Sequence, residues 1–245
     1  MIVIAGATGT VGREATRLLT DRATPFRALS RTPTAGRTHA DPADPASLGQ
    51  ALTSASALLL IGPGTPDLPA YDQAFLAAAE RAGVTRVVKL SSIPVGPVAR
   101  WHRAGEEATR TFPEWTLLRP SLFASNSLQW APLVAAGEPI PNPTGDARLG
   151  VVDPRDLAEV AVAALLDDHH GRTYTLTGPE LLSAPEQVAV LAEVLGRPLT
   201  TVDAPLAEYA EVLRDAAIRT DDIASVLGRP ARDYATWARE CYPRP

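Results

Sequence analysis

The sequence predicts an α/β protein: a doubly wound parallel sheet with helices on both faces, followed by a smaller C-terminal α/β lobe. Three observations carry that expectation. Short apolar runs alternate with helix-periodic stretches through the first half, as they do where parallel strands are joined by crossover helices. The first run, "MIVIAG", enters a helix through three closely spaced glycines. Beyond residue 125 the chain becomes rich in Pro, Gly and Asn before two further amphipathic stretches close it. The expected division is therefore a sheet domain over 1–125, with 150–167 packing back on it, and a lobe formed mainly by 126–245.

Each element has its own signal. "MIVIAG" is a short continuous β-rich run, the mark of a strand buried on both faces. "VGREATRLLTD" has helical spacing at Val11, Ala15, Leu18 and Leu19. "FRALSR" and "SALLLIGPG" read as strands, with "PASLGQALTS" a short helix between them. "PAYDQAFLAAAERAG" is an Ala-rich helix stopped at Gly83, a usual C-terminal signal. "VTRVVKLSS" and "WTLLRPS" are strands around the helix "VARWHRAGEEATRTF". Later, Asp153 and Pro154 start a helix as N-cap and first helical residue. "GRTYTLTG" is a strand, and Ser183 with Glu186 forms a capping box. "PLAEYAEVLRDAA" and "ARDYATWAREC" read as the closing helices.

Composition narrows the function. The chain has 245 residues, 45% hydrophobic and 21% charged, with a net charge of −5. It shows no basic block, which argues against nucleic acid as a partner. No apolar run approaches the roughly 20 residues of a membrane helix, and the opening lacks the basic leader of a signal peptide. A soluble cytoplasmic protein acting on a small molecule is expected, with a homo-oligomer left open. Cys241 is the only cysteine, so no intrachain disulfide or cysteine metal cluster is expected, and no metal site is assigned. Lys89 is the only lysine, which forbids any mechanism that needs two.

"GATGTVG" places Gly6, Gly9 and Gly12 at G-x-x-G-x-x-G. The common dinucleotide fingerprint is G-x-G-x-x-G, one residue shorter in its first interval, and the physics is the same. Gly6 turns the strand sharply, Gly9 lets backbone approach a pyrophosphate, and Gly12 lets helix and strand pack closely. Thr8, Thr10 and Val11 line the turn, whose free amides and helix dipole favour an anion. A tight turn without a ligand is the bland alternative, and the strand-to-helix context argues against it. The fold expected is thus Rossmann-type. The second strand ends "LSRTP", without the acidic residue that holds the ribose 2′-hydroxyl of NAD. Ser30 and Arg31 stand there, and a guanidinium can fork onto a phosphate. That favours NADP (NADPH) over NAD, with Arg37 in support. Asp41 can bond the adenine amino group or cap a turn.

These segments resemble the atypical short-chain dehydrogenase/reductases, in the NmrA-like, quinone-oxidoreductase-like branch. The resemblance rests on "GATGTVG", "LSR", "ADPADPASL", "VVKLSS", "RWHRAGEEATR", "WTLLRPSLFASN" and "GVVDPRDLAEVA", and continues through "YTLTGPELLSAPEQVAVLAEVLGRPL" and "VLGRPARDYATWARE". It covers almost the whole chain. It implies a C-terminal substrate lobe, with Ile61, Gly62 and Pro63 under the adenosine half of the cofactor. It also implies Ser91 and Ser92 beside the nicotinamide, among the catalytic groups, and Pro120, Ser121, Leu122 and Phe123 covering the nicotinamide from the other side.

The wider superfamily uses Tyr-x-x-x-Lys on one helix face. None of the five tyrosines here has a lysine four residues later. At the matching helix stand His102 and Glu106, four apart and on one face. Histidine can act as acid or base near neutral pH, and Glu106 can orient the ring and favour its protonated form. The alternative is a solvated charged face in which Glu106 pairs with Arg103 or Arg110. Gly105 at mid-helix implies close packing against the sheet or a ligand. Without a strong acid, quinones and similar conjugated acceptors fit better than simple ketones. Phe123, Asn126 and Trp130 can line the substrate pocket or pack the lobe. Three functions remain open: an NADPH-dependent reductase of quinones or conjugated carbonyls, in secondary metabolism; a dinucleotide-binding redox sensor; and a redox-neutral cyclase, dehydratase or epimerase.

Overall fold

The computed structural model describes residues 1–94, 96–204 and 216–243. A seven-stranded sheet organises the N-terminal part, in the order β3-β2-β1-β4-β5-β6-β9. Its strands are β1 (Ile2–Ala5), β2 (Phe26–Ser30), β3 (Thr38–His39), β4 (Ala57–Ile61), β5 (Arg86–Leu90), β6 (Glu114–Pro120) and β9 (Arg172–Leu176). The pairings from β3 through to β6 are all parallel. The order runs outward from β1 in both directions, so the sheet is doubly wound, and the strand ends beside β1 form the usual crevice for a ligand.

The sequence patterns explain these elements. All of β1 is buried, and so is β4 except for Ile61. Helix α1 (Thr10–Asp21) buries Val11, Gly12, Ala15 and Leu19, a single stripe at helical spacing. Helix α2 (Pro45–Ala51) is capped by Asp44, whose side chain accepts from the Ala46 N–H, with Pro45 at the first position. Helix α3 (Leu68–Arg81) ends before Gly83, which adopts φ +73°. Helix α4 (Gly96–Thr109) joins β5 to β6. Helix α6 (Pro154–Leu166) starts where expected: the Asp153 carboxylate accepts from the Arg155 N–H at 2.8 Å.

The chain divides into two compact units, Met1–Arg119 with Leu157–Tyr174, and Pro120–Asp156 with Thr175–Pro245. The first has a core from Val3, Leu29, Leu58, Leu60, Phe75 and Val87. The second holds a 3-10 helix (Ala124–Trp130) and helices α5 (Ala131–Ala136), α7 (Ala184–Leu195), α8 (Asp222–Leu227) and α9 (Tyr234–Cys241). It adds two strand pairs: β7 (Ile140–Asn142) with β11 (Thr201–Asp203), parallel, and β8 (Leu149–Gly150) with β10 (Leu181–Leu182), antiparallel. The capping box at Ser183 and Glu186 is formed. Tyr234, Trp237 and Tyr242 pack with Val134, Ile140 and Leu191 as its core. Buried Asp156 takes Arg229 and Arg232, tying the tail to the first turn of α6. The helix expected over 205–217 lies outside the described residues apart from its last two.

Candidate active site

The turn between β1 and α1 is shaped by what glycine lacks. Gly6 sits at φ +76°, where other residues are strained, and a Cβ on it would overlap the Ile61 carbonyl oxygen. A Cβ on Gly12 would overlap the Gly6 carbonyl oxygen and come within 2.8 Å of Ala7 Cα. Gly9 is the N-cap of α1. It offers no side-chain cap, and no acidic residue stands in the first turn. The opening amides of α1, including those of Thr10 and Val11, are therefore left for an anion. The Val11 side chain itself is buried in the core, whereas Thr8 and Thr10 are exposed.

A cleft of about 200 Å³ opens at this turn. Gly6, Thr8, Gly9, Ser30, Arg31, Ile61, Gly62 and Pro63 line it, and none of its lining residues is acidic. Ser30 Oγ donates to the Thr32 carbonyl at 2.7 Å, holding the turn after β2. Asp41 lies outside the lining. Its carboxylate accepts from the Ala43 N–H at 2.9 Å, so it caps the turn before α2. Sequence reasoning missed Tyr71 and Phe75, which also line the cleft. Their rings meet at 4.7 Å, and the Tyr71 hydroxyl donates to the Ile61 carbonyl at 3.2 Å. The signal was present as two aromatics four apart in the helix after "IGPG".

A second group of polar residues gathers where β5 ends. Ser91 is buried and donates to Glu106 Oε1 at 2.6 Å. Arg119, on β6, grips the same carboxylate with two bonds, Nε to Oε1 at 2.8 Å and Nη2 to Oε2. Arg110 approaches Oε2 at 3.4 Å. Burial pushes the Glu106 carboxyl up, but the Arg119 and Ser91 hydrogen bonds and the two arginine charges outweigh it and hold it below its usual range. Beneath α4, Lys89 and Asp72 form an ion pair at 2.5 Å with both side chains fully buried. Burial raises the Asp72 carboxyl and lowers the Lys89 ammonium, while each supports the other's charge. Gly105 is explained by this pair: a Cβ there would overlap Asp72 Oδ2 and lie 2.8 Å from Lys89 Cε.

His102 is half-buried, and its Nδ1 is buried without a hydrogen-bond partner. Burial and the Lys89 charge lower its pKa to about 4, against an opposing pull from Glu106. Glu106 therefore does not keep the imidazole protonated; its oxygens are committed to Arg119, Ser91 and Arg110. Ser92 lines a cavity on the α4 side of this cluster.

In the second unit, Pro120 and Ser121 are buried. The Ser121 N–H donates to the Leu176 carbonyl at 3.0 Å, and its hydroxyl has no partner. The Leu122 carbonyl accepts from the Val152 N–H at 2.8 Å, and Phe123 bridges to Val152. Asn126 is exposed on the 3-10 helix. Trp130 packs on the second unit's core, which is the packing alternative for that residue.

Sheet order, glycine turn and uncapped helix start define a dinucleotide-binding α/β protein. The chain belongs to the NAD(P)H-binding family, whose model matches residues 6–168. It is 39% identical to a (4-alkanoyl-5-oxo-2,5-dihydrofuran-3-yl)methyl phosphate reductase of Streptomyces griseus, over 98% of this chain and 97% of the relative. It is 30% identical to an NAD(P)H azoreductase of Xenophilus azovorans, with the same coverage. Its fold matches that of an NADPH-dependent quinone oxidoreductase from Escherichia coli complexed with NADPH. The TM-score is 0.85 at 22% identity, over 98% of this chain and 99% of the other. The protein is an NAD(P)H-dependent oxidoreductase, and the fold implied by the resemblance to the NmrA-like, quinone-oxidoreductase-like branch is present. Of the three functions left open by the sequence, the comparisons support the coarser form of the first, an NAD(P)H-dependent reductase. Among the described residues no helix is long and apolar enough to cross a membrane.

Proposed function

We propose that the protein reduces an electron-poor conjugated carbonyl with NADPH: an alkene flanked by carbonyl groups, or a quinone. The observation that carries this reading is how the polar groups at the end of β5 are committed. Glu106 is held by Arg119 and Ser91, and His102 stands neutral beside Lys89. Neither is a proton donor of useful strength near pH 7. A site of this kind suits acceptors whose negative charge is spread after hydride addition.

The Streptomyces relative's named substrate has this property. Carbon 4 of its ring alkene carries both the lactone carbonyl and the alkanoyl carbonyl. Hydride added at ring carbon 3 leaves the charge on carbon 4, shared by two carbonyl oxygens. Water can then supply the proton, without a side-chain acid.

The glycine cleft fits the cofactor. Gly6, Gly9 and Gly12 with the amides of Thr10 and Val11 would hold the pyrophosphate, and Thr8, Ser30 and Arg31 the 2′-phosphate. The absence of acidic lining in that cleft supports NADPH over NADH. Bound there, NADPH supplies the hydride. Ile61 to Pro63 lie in the same cleft and fit the adenosine half. The assignments of Asp41 to the adenine, of Ser91, Ser92 and Pro120 to Phe123 to the nicotinamide, and of Phe123 and Asn126 to the substrate rest on the resemblance and the sequence. The role left to His102 is that of a neutral ring packed beside the reacting groups.

The test is NADPH oxidation with a furanone bearing an alkanoyl group, a naphthoquinone and cyclohexanone. The first two should turn over, and the ketone should be slower by roughly 100-fold or more, the value of a missing general acid. A ketone reduced as efficiently as the quinone would overturn the reading.

A further inference from the structure

We infer that the cavity between α4 and the ends of β5 and β6 is an anion subsite, which takes the phosphate group of a phosphate-monoester substrate. The inference rests on the reduction proposed above and adds the substrate's charged handle. The cavity holds about 330 Å³ and is built within the first unit. Four guanidinium groups line it, from Arg100, Arg103, Arg110 and Arg119. A chain with net charge −5 has thus concentrated positive charge in one recess.

Two carboxylates also line it, Glu106 and Glu107. Glu106 is saturated by Arg119, Ser91 and Arg110, which leaves it little capacity to repel an anion or to neutralise further cations. Arg110 lies over the Trp115 ring at 5.5 Å, so its direction is fixed. Arg100 and Arg103 are exposed, and neither enters an ion pair among the described residues. They are three apart on one helix, so both can point to the same recess. Uncommitted guanidinium groups recognise a phosphate monoester by forked hydrogen bonds and distinguish it from an alcohol by charge. Ser92 and Glu106 connect this recess to the end of β5, where the reacting carbonyl is expected. The 39%-identical relative, named for a methyl phosphate substrate, supports the same chemical class.

The experiment compares a 4-alkanoyl furanone carrying a hydroxymethyl group with its phosphate ester, both reduced with NADPH. The wild type should favour the ester about 100-fold in kcat/KM. Arg100→Gln and Arg103→Gln should each lower that preference about tenfold, the worth of one charged hydrogen bond. Arg81→Gln, an exposed arginine in the last turn of α3, should leave it unchanged. Equal use of ester and alcohol by the wild type, or an equal loss in Arg81→Gln, would overturn the subsite. If neither compound is reduced, the proposed reduction fails, and the subsite is judged by calorimetric binding of phenyl phosphate. Binding that weakens about tenfold in Arg103→Gln upholds it, and no binding by the wild type overturns it. Inorganic phosphate bound as tightly as phenyl phosphate would mark a free-anion site and overturn the assignment to a substrate.

Discussion

The two functional corners of the first unit are built by opposite means. At the β1–α1 turn the work is done by backbone and by missing atoms. Gly6 and Gly12 let backbone approach so closely that a single methyl would overlap it, and α1 begins without a side-chain cap. At the end of β5 the work is done by charged side chains packed out of water. Lys89 and Asp72 face each other with no exposed surface, and Glu106 is enclosed by Arg119 and Ser91. The first corner is open and waits for a ligand's charge. The second has already satisfied its own charges. The difference teaches that a polar cluster at a strand end is not by itself acid–base machinery, because the same groups can neutralise one another.

That contrast can be broken at several points. The largest effect should come from Lys89→Met, which leaves Asp72 buried and uncompensated and should cost about 3–5 kcal/mol in urea unfolding. The double substitution Asp72→Leu with Lys89→Met should restore at least wild-type stability, since removing both partners leaves no buried charge. Next is Gly12→Ala. Its methyl meets backbone that cannot yield, so a loss of about 2–3 kcal/mol is expected, together with loss of NADPH binding measured by fluorescence.

The third concerns pH. The His102 pKa is lowered from 6.5 to about 4 in the folded protein. The unfolded chain therefore binds the extra proton between these values, and stability falls as pH drops through that window. At pH 5 the loss is about 2 kcal/mol relative to pH 7. Unfolding of His102→Gln, followed in parallel, should lack that part of the pH dependence. The smallest effect is expected from Arg31→Ala. NADPH affinity should weaken about tenfold while NADH affinity holds, as for loss of one charge-assisted contact to phosphate.

The open corner was legible in the sequence, and the closed one largely was not. Glycine spacing, the buried strands and the caps at Asp153 and Ser183 are local signals, written within a few residues of where they act. Lys89 and Asp72 come from different elements, and nothing local announces their meeting. Two hints existed: a charged residue inside each of two apolar stretches, "YDQAFLAAA" and "RVVKL". His102 and Glu106 are properly spaced for a pair, yet Glu106 turns to Arg119, thirteen residues away. A tertiary arginine with forked geometry wins over a helical neighbour of weaker charge. Gly105 marks a close approach in the sequence, but what it approaches, the Lys89–Asp72 pair beneath α4, comes from other elements. The short strands β7, β8, β10 and β11 have too few residues to show a period.

On the proposed function, reduction here proceeds without a protonated side-chain acid. The most direct test is kcat with a saturating naphthoquinone and NADPH, from pH 5.5 to 8, for the wild type and His102→Gln. A flat profile and rates within about threefold of each other are expected, since no acid–base factor of about 10²–10⁴ is lost. A wild-type rate that falls as pH rises through a single ionisation near neutrality, together with loss of about 100-fold or more in His102→Gln, would contradict it.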